Sequence, residues 1–121
     1  MKALSIRQPW IWAFLHAGKD VENRSWRTTY RGPLLLHASK TFDLQGKRWI
    51  QDTMGIKVPG NLPRGGIVAR GRLVNCVEAM NSPWFFGPWG LVITEVEPVQ
   101  FYNCVGRLGL FNAPDQGVLP L

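Results

Sequence analysis

The sequence predicts a mixed α+β fold, a small β-barrel with helices packed at its ends or side. Extended, alternating segments outnumber helical ones, both helical patterns fall before Gly55, and the connections are short. A chain of 121 residues fits one domain, 1–121, since a second core would leave too little apolar surface for either. With 45% hydrophobic and 18% charged residues, the composition is that of an ordinary folded protein.

Each element has a local reason. Ala3 to Ile6 reads as a short strand, and Arg7-Gln8-Pro9 starts a helix, with Pro9 in the first turn where its missing N–H is not needed. Trp10/Phe14 and Ile11/Leu15 stand at i,i+4 spacing, and Gly18 ends the segment as a C-cap does. Val21 to Trp26 alternates as an extended segment, residues 28–32 turn, and Pro33 to Ala38 is an apolar run suited to a buried strand. Thr41 to Met54 reads as a second helix interrupted by Gly46, with Leu44, Trp49 and Ile50 as core contacts. Gly55 to Gly66 is rich in glycine and proline and predicts a surface loop, a possible lid. Ile67–Val77 and Leu91–Gln100 read as strands around an irregular stretch from Ala79 to Pro88, and Arg107–Phe111 supplies a last short strand.

The net charge of +6 is unevenly placed. Residues 1–50 hold nine Lys/Arg against three Asp/Glu, and residues 51–121 hold five of each. Such a skew draws polyanions and supports phosphate contacts, although a solvated basic surface has the same composition. Cys76 and Cys104 show neither CxxC spacing nor a neighbouring His cluster, so reduced thiols are expected, with no metal or cofactor. No stretch reaches the ~18 apolar residues of a membrane span, and no cleavable leader is visible, which together predict a soluble cytoplasmic protein.

The densest polar cluster, Lys19-Asp20-Val21-Glu22-Asn23-Arg24-Ser25-Trp26, follows the first helix. In an extended segment Glu22, Arg24 and Trp26 share one face, with Asn23 and Ser25 on the other. Arg24 offers a planar fork for phosphate or a base edge, Trp26 a stacking surface, and Glu22 an acceptor. A surface Glu–Arg pair beside a core tryptophan is the plainer account of the same spacing.

The stretch Ala17-Gly18-Lys19-Asp20-Val21-Glu22-Asn23-Arg24 resembles the Gly-x-Lys-x-x-Glu-x-Arg signature of the ASCH family, part of the PUA-like superfamily. Lys19, Glu22 and Arg24 match, while Ala17 replaces the first glycine. Leu4 to Trp10, Tyr30-Arg31-Gly32-Pro33, His37-Ala38-Ser39-Lys40 and Gly106 to Leu110 are also similar to one ASCH subgroup. The resemblance implies a PUA-like barrel whose signature residues line a cleft, and a function in binding RNA or a modified nucleoside. It also implies two rival hydrolytic activities. An N4-acetylcytidine amidohydrolase uses a Lys, a Thr three residues later and a Glu on a later strand. Lys19 fits, Glu22 stands where the Thr belongs, and Glu78 is the counterpart of the later Glu. A ribonuclease would draw its acid, base and cations from Lys19, Glu22, Arg24 and Lys40. An adjacent carboxylate favours the charged ammonium of Lys19, against its acting as a base.

His16 and His37 are expected to be structural. Ser39-Lys40 ends a strand where barrel mouths hold ligands, although a Ser there commonly caps a helix. Trp84-Phe85-Phe86 is expected to pack on the core, with base stacking or a protein-interaction patch as the alternatives. The site expected from the sequence therefore comprises Lys19, Glu22, Arg24, Trp26, Ser39 and Lys40. Its ligand is RNA or a modified nucleoside, and Lys19 and Glu22 serve as the acid–base pair if the protein is an enzyme. An open cleft would leave Lys19 and Glu22 at the surface, dispensable for folding.

Overall fold

A computed structural model describes residues 1–114. The elements run β1 (Lys2–Gln8), α1 (Trp10–His16), β2 (Val21–Arg24), β3 (Gly32–Phe42), α2 (Leu44–Trp49) with a π-helical turn (Ile50–Met54), β4 (Gly66–Val77), β5 (Trp89–Asn103) and β6 (Leu110–Asn112). The fold is mixed α+β, as the sequence predicts. One six-stranded sheet has the order β2-β5-β4-β3-β1-β6, with β1 parallel to β3 and the other neighbours antiparallel.

The expected barrel is not closed. β2 and β6 are the two edges of the sheet, with no backbone ladder between them or from β2 to β1 among the described residues. The sheet nevertheless curls far enough for a β2 side chain to reach β1: Arg24 Nη2 donates to the carbonyl of Ser5 at 2.7 Å. A guanidinium spans the gap that a ladder would otherwise occupy. Hydrophobic alternation cannot distinguish these two ways of ending a curled sheet.

The apolar run in β3 is buried on both faces. Leu34, Leu36 and Ala38 join Leu4 and Ile6 of β1, Ile11 and Phe14 of α1 and Ile93 of β5 in one cluster, while Leu35 joins Ala3, Ile67, Val99 and Phe111 in a second. A third cluster gathers Ala13, Val21, Ile50, Val58 and Trp84 with Trp10 and Trp49 around it.

The second helix starts later than its pattern suggests. Pairing of Gln8 with Phe42 extends β3, and Asp43 then caps α2, its side chain accepting from the N–H of Gly46. Leu44, expected in the core, is 61% exposed, whereas Ile50 is fully buried. The glycine-rich segment before β4 is anchored by Val58, which enters the third cluster, and by Gln8 Nε2 donating to the carbonyl of Pro63. No helix among the described residues is long and apolar enough to cross a membrane.

Candidate nucleic-acid site

α1 is followed by a turn at Gly18, whose φ of +77° is readily adopted only by a residue without Cβ. That turn drops Lys19 beneath the start of β2. There the Lys19 ammonium donates to the carbonyl of Val21 at 2.6 Å and lies 3.4 Å from Glu22 Oε1. It also sits 4.9 Å from the ring centre of Trp10, 5.2 Å from Phe14 and 5.8 Å from Trp84. The Lys19 side chain is 2% exposed and that of Glu22 11%. The surface placement expected from the sequence is therefore wrong: aromatic rings from two segments, α1 and the loop before β5, cover the lysine. Burial lowers the lysine pKa from its usual range, and the neighbouring Glu22 only partly opposes it.

The period-two reading of β2 holds for Glu22 and Arg24, which meet at 3.1 Å. Glu22 thus has one oxygen toward Lys19 and the other toward Arg24. Asn23 turns to the loop before β5, where its amide accepts from the N–H groups of Phe86 and Gly87 and donates to the carbonyl of Trp84. Trp84 is buried, as expected of that segment, but Phe86 is 61% exposed, edge-on to Trp49 with ring centres 5.3 Å apart.

Two cavities adjoin this cluster. The smaller, about 430 Å³, has Lys19, Glu22 and Arg24 in its lining, with Trp10, Trp26 and Phe86 as aromatic walls. The larger, about 1280 Å³, is bordered by Arg7, Arg24, Lys40, Arg107, Trp26 and Ser39 among others, with no carboxylate among the described residues. Ser5, Arg7, Arg24, Ser25 and Trp26 line both, so the two adjoin at Arg24. All six residues expected from the sequence line one or both cavities. Glu78 does not join them; it borders a separate cavity with Arg27, Arg31 and Trp89. Ser39 is no helix cap, since it lies inside β3 and donates to the carbonyl of Thr41.

Arg7 and Arg107 were not expected, whereas Phe86 belongs to the aromatic segment whose alternative role was to stack bases. Arg7 had a readable signal, since Ser5 and Arg7 alternate onto one face of β1. Arg107 had none, because the loop before β6 reaches the cavity only through the pairing of β6 with β1. Of the histidines, His16 is exposed with its ring 5.6 Å from that of Trp12. His37 is buried and hydrogen-bonded at both ring nitrogens.

A family model described as the ASCH domain matches residues 4–100. No curated protein matches the chain.

Proposed function

The chain belongs to the ASCH domain family, and on that footing we propose that it holds RNA or a modified nucleoside in the paired cavities beside β2. One observation carries the reading. A large cavity bordered by Arg7, Arg24, Lys40 and Arg107, without a carboxylate among the described residues, adjoins a smaller one lined by Trp10, Trp26, Phe86 and Glu22. Phosphate suits the first, since clustered guanidinium and ammonium groups gain from counterion release. A base suits the second, where Trp26 offers a stacking face and Glu22 accepts from an exocyclic amino group. Lys19, beneath Glu22, fixes the carboxylate rather than reaching the ligand.

Hydrolysis centred on Lys19 and Glu22 is the second reading, and burial of Lys19 favours it, because an amide-activating lysine needs a lowered pKa. Against it, the Lys19 proton is held by the Val21 carbonyl and by Glu22, and Glu78 lines a different cavity.

Incubation with single-stranded RNA and, separately, with N4-acetylcytidine tests both. Retention of RNA without deacetylation supports the reader, and release of acetate from N4-acetylcytidine supports the hydrolase. Neither retention nor turnover would sink both readings.

A further inference from the structure

We infer that Ser5 and His37 form a nucleophile–base pair in the floor of the larger cavity, suited to cleaving a carboxylic ester from the ribose of a nucleotide. The nucleotide part of that substrate rests on the function proposed above; the pair itself does not.

His37 Nε2 lies 2.6 Å from the carbonyl of Cys104, and His37 Nδ1 lies 2.9 Å from Ser5 Oγ. A carbonyl can only accept, so Nε2 carries the proton. In the neutral ring Nδ1 is then the acceptor, and Ser5 donates its hydroxyl proton to it. This is the arrangement of an activated serine, with a main-chain carbonyl as the group that orients the base. The two residues are register partners on β1 and β3, and His37 is buried, so rigid elements hold the geometry.

Cross-linking two strands requires only those hydrogen bonds. Two further features are what a reaction needs. Ser5 and His37 both line the larger cavity, and Ser5 lines the smaller one too, so the pair borders ligand space. An unspent donor stands beside them. Arg24 Nε is buried without a hydrogen-bond partner among the described residues, while Nη2 of the same guanidinium is fixed on the Ser5 carbonyl at 2.7 Å.

In the first step Nδ1 of His37 takes the Ser5 proton as Oγ bonds to the acyl carbon. The negative charge that develops on the acyl oxygen is met by Arg24 Nε–H. The acyl–ribose C–O bond then breaks, and the proton passes from Nδ1 to the departing ribose oxygen. Water attacks acyl-Ser5 and gives a proton to Nδ1, which returns it to Oγ as the carboxylic acid leaves. An ester fits better than an amide. The imidazolium is supported only by a neutral carbonyl, which suits the better leaving group.

The test uses an alkyl fluorophosphonate, which transfers its phosphonyl group to an activated serine with loss of fluoride, followed by peptide mass spectrometry. The chain has serines at 5, 25, 39 and 82, and Ser25 and Ser39 share the cavity without a histidine partner. Selective labelling of Ser5 is expected. Acetate release from 3′-O-acetyl-adenosine monophosphate should fall to the buffer rate in Ser5→Ala, and by roughly 10²–10⁴-fold in His37→Gln. Absence of labelling at Ser5, or equal labelling of Ser25 and Ser39, overturns the inference even if His37→Gln does not fold. RNA retention measured on the same preparation separates the two proposals. Retention without labelling removes the pair alone, and labelling without retention removes the nucleic-acid reading.

Discussion

The Lys19 ammonium lies 3.4 Å from Glu22 Oε1, and both side chains are almost withdrawn from water. Removing one member of a buried pair leaves the other charge desolvated, which typically costs 3–5 kcal/mol. Here Arg24 also contacts Glu22, so Lys19→Met should lie at the lower end, about 3 kcal/mol. The double variant Lys19→Met/Glu22→Gln removes both charges and should recover on the order of 1–3 kcal/mol of that loss. Urea denaturation of the three proteins decides it. A single variant within about 0.5 kcal/mol of wild type would mean that the pair contributes nothing to the fold.

The cations around the larger cavity give a different signature. Four phosphate contacts, one each from Arg7, Arg24, Lys40 and Arg107, predict a log–log salt slope near −3 for a single strand, at about −0.7 per contact. Lys40 and Arg107 are exposed, so Lys40→Ala and Arg107→Ala should each flatten the slope by about 0.7 with the melting temperature unchanged. Fluorescence anisotropy with a short oligoribonucleotide between low and physiological salt measures it. A flat dependence in the wild type removes the electrostatic part of the reading.

How much of this was legible in the chain depends on how far each partner lies along it. Glu22 and Arg24 share a face because a strand alternates, and the sequence carries that rule locally. The burial of Lys19 was hidden because one of its covering rings, Trp84, comes from the loop before β5. His37 was expected to be structural, and its hydrogen bonds fit, but its partners come from β1 and from the loop before β6. The barrel expectation failed at one seam, where Arg24 rather than a backbone ladder spans from β2 to β1.

Asp43 sets the acid limit of the α2 region. Burial pushes its carboxyl up, but the N–H groups of Gly46 and Gln45, the Trp10 indole N–H and the charge of Arg7 together leave it below its ordinary 3.8. The folded value is therefore the lower one. Its contribution to stability is present above about pH 4 and is lost as pH falls through the folded pKa. Asp43→Asn keeps a side-chain oxygen for the cap and should abolish that dependence, whereas Asp43→Ala should cost about 1 kcal/mol at neutral pH. Thermal melts from pH 2 to 7 compare the three proteins. An identical acid profile in Asp43→Asn would remove Asp43 as its source.

Gly46 lies within α2, where glycine to alanine ordinarily stabilises by about 1 kcal/mol through helix propensity. At this position a Cβ would stand 2.6 Å from Trp10 Cζ2 and 2.8 Å from Cε2. The ring cannot easily give way, because its Nε1 donates to Asp43 Oδ2 at 2.9 Å and it packs against Trp49 and Trp84. Overpacking of this kind costs about 1–3 kcal/mol, so the clash should outweigh the propensity gain and Gly46→Ala should destabilise. Trp10 also walls the smaller cavity. The same variant should therefore weaken nucleoside binding while leaving the salt slope of RNA binding intact, since Arg7, Arg24, Lys40 and Arg107 are all retained and the last two border only the larger cavity. Calorimetric melting and titration with a nucleoside measure both effects. A stabilised variant with unchanged nucleoside affinity would show that the ring is free to move and that the cavity does not depend on its position.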